Sequence, residues 1–218
     1  MANAWIDQGF IAFDTETTGI DVSTERIVTA AAVTFVGGEP LDAQSWLLAV
    51  DVEIPEAASA VHGVTTEMSR ASGVDQREGL AAMRAHLVDA GLPIVCFKSD
   101  FDIPILDANL VRCGVEPLPP DLAVCAFVID KQFNKYVRGK AQRRLQPTAA
   151  RYGIELSDDD WHGAEADAIA AGRIFLAEVA AYPDIAAMSG VELSRAVGIW
   201  REEQDREFRE WLARQPPR

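Results

Sequence analysis

Two carboxylates stand two residues apart where an apolar run ends. Phe10, Ile11, Ala12 and Phe13 lead into Asp14, Thr15 and Glu16, and Thr17, Thr18 and Gly19 turn the chain away. The run predicts a short buried strand. Residues i and i+2 of a strand point to one face, so Asp14 and Glu16 converge. Carboxylates held that close repel each other unless positive charge lies between them. Hard divalent cations such as Mg²⁺ take oxygen ligands of this kind. The same residues also describe an acidic strand end before a turn, so the pair alone leaves both readings open.

Phosphate chemistry with two divalent ions needs further carboxylates, about four in all, to balance the charge. Asp102, after Phe101, lies where a fourth predicted strand meets a helix. Asp167 lies in the first turns of a late helix, five residues after His162. Taken singly, Asp102 reads equally as a helix cap and Asp167 as a solvated helix residue. His162 reads as a structural or exposed side chain, or as a base for a water whose pKa a cation has lowered. His86 reads as a surface residue of a helix. His62 opens a His-Gly-Val-Thr loop whose role the chemistry leaves open.

The elements that must position these groups follow from periodicity. Strands are predicted from Phe10, over Arg26 to Val36 with Gly37–Gly38 as a tight turn, and over Gln44 to Ile54. Short connections make these three an antiparallel meander. Asp75 to Ala90 is helical, with Gly91 as its stop. Pro93 to Phe97 is a buried fourth strand, and Asp102 to Cys113 is a helix with Pro104 in its first turn. Leu122 to Ile129 reads as a strand running into a helix. Ala164 to Tyr182 is a long helix ended by Pro183, and Glu192 to Arg214 is an amphipathic one. Strands first, then alternating helices and strands, give an α/β domain with a mixed sheet.

Composition narrows the class. The chain has 218 residues, 49% hydrophobic and 25% charged, enough for a sizeable core. A net charge of −14 argues against a general nucleic-acid coat or a membrane-surface protein. It leaves room for a local basic track, and one exists: Lys131 to Arg151 holds seven basic residues and no acidic one. Its Arg138 and Lys140 suit a phosphate backbone, although a solvated loop and helix face would look the same. Cys96, Cys113 and Cys125 have no metal-ligand spacing and read as buried thiols of a reducing compartment. No run is long and apolar enough to span a membrane, and the first residues lack a signal pattern, so the expectation is a cytoplasmic protein without membrane contact.

In order and separation, Asp14-Thr-Glu16-Thr-Thr-Gly19, Phe101-Asp102 and His162 with Asp167 resemble the DEDDh 3′–5′ exonuclease family. That family includes the proofreading epsilon subunit of bacterial DNA polymerase III, oligoribonuclease and RNase T. The His62-Gly-Val-Thr loop matches a recurrent stretch of the family, and the resemblance covers roughly residues 8 to 180.

The resemblance implies an RNase H-like fold, a mixed five-stranded sheet flanked by helices. It implies two divalent cations, Mg²⁺ or Mn²⁺, held by Asp14, Glu16, Asp102 and Asp167, with His162 as general base. The products would be nucleoside 5′-monophosphates. Thr17, Thr18 and His62 would border the terminal nucleotide, and Phe101 would join the substrate-binding residues.

The expected substrate is single-stranded or frayed DNA. RNA 3′ ends are the alternative, and a non-catalytic polymerase-associated module is a third reading. Residues 1–183 would form the exonuclease domain and 184–218 a helical extension, open to a polymerase or homodimer contact. Two positions depart from the family pattern. Lys98 stands where many members carry Asn, and would either add a phosphate contact or pair with a metal carboxylate. Pro147 interrupts a helix that is usually continuous.

Overall fold

The computed structural model describes residues 4–155 and 163–215. In chain order it has α1 (Ala4–Gln8), β1 (Phe10–Thr17), β2 (Ile27–Val36), β3 (Glu39–Leu47), α2 (Glu56–His62), α3 (Thr66–Ser72) and α4 (Gln76–Asp89). Then come β4 (Ile94–Cys96), α5 (Ser99–Arg112), β5 (Ala123–Cys125), α6 (Ala126–Phe133), a 3-10 turn (Lys140–Arg143) and α7 (Leu145–Arg151). The chain continues with α8 (Ala164–Ala181), α9 (Pro183–Ala186) and α10 (Gly190–Ala213).

The sheet order is β3-β2-β1-β4-β5, with β1 at its centre. β1 pairs antiparallel with β2 and parallel with β4, and β4 pairs parallel with β5. β1, β4 and β5 therefore end on the same sheet edge, where the candidate carboxylates lie. Gly37 and Gly38, both at positive φ, make the hairpin between β2 and β3, a geometry that glycine adopts at little cost.

Alternation along β1 divides the core. Phe10 and Ala12 face one layer, shared with Val33, Phe35, Val128, Phe175, Leu193 and Val197. Ile11 and Phe13 face the other, with Leu80, Met83, Ile105, Leu106 and Leu110. Phe10 stacks on Phe35 at 4.9 Å and meets Phe175 edge-on at 5.2 Å. Each fully buried side chain of this size contributes about 1.5–3 kcal/mol. The result is the five-stranded, helix-flanked sheet expected of an RNase H-like exonuclease.

Several local expectations change. The third strand is Glu39–Leu47 rather than 44–54. Beyond it the chain leaves the sheet: Leu48 bridges to Val74, and Val50 and Ile54 pack against Val28. Their alternation reflects this small cluster and not a ladder. The helix expected from Asp102 begins at Ser99, with Asp100 and Asp102 in its first turn, where acidic side chains favour the helix dipole. Pro104 consequently sits inside the helix and removes one backbone bond. Pro147 lies in the first turn of α7, where a missing N–H is tolerated. His86 is half-buried against Trp46, rings edge-on at 5.8 Å, and is not a free surface residue.

The first half of α10 is docked on the domain. Leu193 and Val197 are buried, Trp200 meets Phe133 at 5.7 Å, and the Ser194 hydroxyl donates to the Ala123 carbonyl at 2.7 Å. Phe208, Trp211 and Leu212 in its second half are exposed. Among the described residues, no helix is long and apolar enough to cross a membrane.

Candidate metal centre

Asp14 and Glu16 continue the face of β1 that carries Phe10 and Ala12, so they look toward α8. α8 lies close because it carries glycine at 172. A Cβ there would stand 2.5 Å from Phe35 Cε2 and 3.2 Å from the Ala12 Cβ. Residue 172 is thus where helix and sheet touch, and Asp167 lies less than two turns upstream in the same helix. Asp14, Glu16 and Asp167 each offer an oxygen, and these three lie within 4.8 Å of one another.

Asp102 approaches from the next strand. β4 ends at Cys96 beside β1, and α5 starts three residues later. Asp102 is 3% exposed, and Thr15 Oγ1 donates to its Oδ1 at 2.8 Å. Thr15 is thus a positioning residue that chemical type alone does not single out. The signal for it was its place between two ligand candidates, pointing to the opposite face of β1.

The electrostatics record the crowding. Burial raises the Asp14 pKa well above the usual carboxylate range, and the charges of Asp102, Asp167 and Glu16 raise it further. Glu16 is pushed up to about 7, by burial first and then by Asp167. Burial likewise takes Asp102 to about 7, against the stabilising hydrogen bond from Thr15. Among the described residues, no lysine or arginine forms an ion pair with Asp14, Glu16 or Asp102. An all-oxygen donor set in which Asp14 and Glu16 have no ion pair among the described residues fits a hard divalent cation, and Asp14, Glu16 and Asp167 are the residues that would hold it.

The other expected site residues divide. His62 ends α2 and lines a cleft of about 390 Å³ with Glu16, Trp46, Val64, Gly163 and Glu165. Burial lowers the His62 pKa, which favours the neutral ring. Ser45 and Trp46, whose residue types carry no sequence signal for a site, enter this cleft from β3, and the Ser45 hydroxyl donates to Glu165 at 2.9 Å.

Thr17 donates to the Gly19 carbonyl at 2.7 Å. Thr18 is 3% exposed, with its hydroxyl bonded to Glu25 and to the Arg26 N–H, so it closes the turn after β1 and presents no free group to a nucleotide. Phe101 packs against the core. Lys98 is exposed, and its ammonium lies 5.1 Å from the centre of the Phe127 ring rather than on a carboxylate. His162 lies outside the described residues.

The basic track also divides. Arg143 and Arg151 turn inward onto Asp130 Oδ2, at 2.9 and 2.7 Å, and Asp130 is 1% exposed. Both guanidiniums therefore hold the fold together. Lys135, Arg138, Lys140 and Arg144 are exposed. The acid that anchors the arginines stands one residue before the track, which is why the charge run looked unbalanced.

Comparison with known proteins agrees with this fold. The exonuclease family model RNase_T matches residues 11–175. The chain is 28% identical over 173 residues to the DNA polymerase III subunit epsilon of Treponema pallidum, covering 78% of this chain and 76% of that one. It is 26% identical over 172 residues to the PolC-type DNA polymerase III of Mycoplasma genitalium, of which it spans 11%. Exonuclease I of E. coli, in complex with a dT13 oligonucleotide, superposes with a TM-score of 0.65 at 19% identity, over 78% of this chain and 40% of that one.

Proposed function

The chain belongs to the RNase_T exonuclease family, and from that premise we propose that it is a metal-dependent exonuclease that shortens single-stranded or frayed DNA from its 3′ end. The observation that carries the reading is the convergence of Asp14, Glu16 and Asp167, with Asp102 bonded alongside. Acids from three separate stretches of the sequence are gathered at one end of the sheet, and among the described residues no lysine or arginine pairs with Asp14, Glu16 or Asp102. The dT13 oligonucleotide bound by the E. coli neighbour favours single-stranded DNA as the substrate.

Asp14, Glu16 and Asp167 would hold one divalent cation, and Asp102, kept in place by Thr15, would support a second. Bound there, Mg²⁺ or Mn²⁺ supplies Lewis-acid polarisation of the phosphodiester and neutralises its developing charge. His162, two residues before α8, takes the proton from the attacking water. His62, Trp46 and Val64 border the terminal nucleotide in the cleft beside Glu16. The position of Lys98 over Phe127 leaves the carboxylates open, which supports an active enzyme over a purely binding module. The polymerase names among the relatives make a replicative or repair polymerase the favoured partner, with the exposed second half of α10 as its contact.

The test is digestion of end-labelled DNA and RNA strands with Mg²⁺, with Mn²⁺ and with chelator. Mononucleotide release from the 3′ end of DNA, abolished by chelator, is expected. Preferential digestion of RNA would transfer the assignment to an exoribonuclease, and activity unaffected by chelator would remove the metal from the account.

A further inference from the structure

The segment from Asn134 to Arg144 carries Lys135, Arg138, Lys140, Arg143 and Arg144 and no acidic residue, in a chain of net charge −14. Its ends are fixed from within. Arg143, paired with Asp130, also donates to the Asn134 carbonyl at 2.8 Å and the Val137 carbonyl at 3.2 Å. Arg151, on the same carboxylate, donates to the Gln142 carbonyl. The Asn134 amide reaches the hydroxyls of Tyr152 and Tyr182 at 2.9 and 2.8 Å. The loop is thus wrapped around one guanidinium and pinned to the body.

On this held loop, Tyr136 is 91% exposed, and Lys135, Arg138, Lys140 and Arg144 surround it in sequence, all exposed. The fold makes no use of that ring. An exposed aromatic ring in a run of exposed cations is the chemistry of single-strand binding: bases stack on the ring, and ammonium and guanidinium groups meet the phosphates. Asn134 meets Tyr182 just beyond the end of α8, and Asp167 lies near its start, 15 residues earlier. At 1.5 Å per helical residue the two positions are about 20 Å apart. That distance matches about six phosphates at B-form spacing, and fewer on an extended strand.

We propose that the loop from Asn134 to Arg144 is a distal contact for single-stranded nucleic acid, in which Tyr136 stacks on a base several nucleotides from the cleaved end and Arg138 and Lys140 bind flanking phosphates. The proposal rests on the nuclease reading for its choice of ligand. It makes binding depend on length, because a dinucleotide in the cleft beside Glu16 is too short to reach Tyr136.

The experiment is fluorescence anisotropy of the full chain with a labelled dinucleotide and a labelled strand of about twelve thymidines, in chelator. Tyr136→Ala is expected to weaken the long strand about five- to 150-fold, the range for loss of one stacked base, with less than a twofold change for the dinucleotide. The double variant Arg138→Ala/Lys140→Ala is expected to lower the salt dependence of long-strand binding by about 1.4 in log–log slope, about 0.7 for each phosphate contact.

Equal long-strand affinity in wild type and Tyr136→Ala would overturn the proposal, as would an equal loss for both lengths or no binding by the wild type. Digestion of the same strand by wild type in Mn²⁺ separates the two readings. Binding that Tyr136 controls, without digestion, sinks the nuclease reading alone. Digestion with an unaltered KM in Tyr136→Ala sinks the distal contact alone.

Discussion

The domain buries carboxylates in two places and treats them oppositely. At one end of α8, Asp14, Glu16, Asp102 and Asp167 crowd together, and among the described residues no arginine or lysine is paired with the first three. Toward the other end, Asp130 lies buried between Arg143 and Arg151, with Asn134 and Tyr152 completing its hydrogen bonds. Glu178, fully buried beside it, is held up in pKa by burial and by Asp130. Asp130 has its counter-charge within the chain, whereas Asp14, Glu16 and Asp102 have no ion pair among the described residues. A buried carboxylate that already pairs with arginine, as Asp130 does, is therefore no sign of a metal site.

Substitutions separate the two. Asp14→Asn should lower nuclease activity about a thousandfold or more, the several kcal/mol that a bound cation supplies. In chelator the same variant should melt higher than wild type, since it removes a buried repulsion. Asp130→Ala should do the reverse and lose stability. Leaving two partly buried guanidiniums without a partner costs about 3 kcal/mol, the low end for a broken buried pair because Arg151 still reaches water. In a domain of this size that lowers Tm by roughly 6–12 °C. Activity kept by Asp14→Asn, or a Tm kept by Asp130→Ala, would erase the distinction.

Gly172→Ala sharpens it at the level of packing. The added methyl meets the buried Phe35 ring, and overpacking of this kind costs about 1–3 kcal/mol. Pushing α8 off the sheet withdraws Asp167 from β1. Metal affinity should then fall along with Tm, while the Asp130 pairs, made between α6, the 3-10 turn and α7, are kept. Thermal melts with and without Mn²⁺ read both effects.

The smallest effect is in pH. Glu16 and Asp102 titrate at about 7 in the folded chain, and Asp14 is also raised. Their unfolded values are about 4. Protonation therefore stabilises the metal-free fold fully below about pH 4, and that contribution is lost as pH rises through about 7. In chelator, Tm should fall between pH 5 and 8. Saturating Mn²⁺ should remove the part of the slope owed to this centre and leave the part owed to Glu178. Identical slopes with and without metal would contradict the assignment.

Much of the candidate metal centre's layout was legible before folding because strand alternation is strict. Asp14 and Glu16 had to share a face once Phe10–Phe13 formed a buried strand, whereas the helix after β4 begins at Ser99, three residues before its expected start, which puts Asp102 in its first turn. The partners were not legible. Thr15 carries no chemical flag, yet it orients Asp102. Thr18 looked like a substrate contact and is a turn staple, because its fate depends on Glu25 across the loop. Arg143 and Arg151 looked like part of a free basic track, and only the fold brings Asp130 between them. Periodicity reports which face a residue takes. It does not report which distant side chain meets it there.

The most direct test is calorimetric titration of Mn²⁺ near pH 7 into the wild type, Asp14→Asn/Asp167→Asn and Asp130→Asn. Saturable binding with proton release is predicted for the wild type and for Asp130→Asn, and none for the double variant. Equal Mn²⁺ binding by the wild type and the double variant would contradict the claim that these carboxylates form the metal centre.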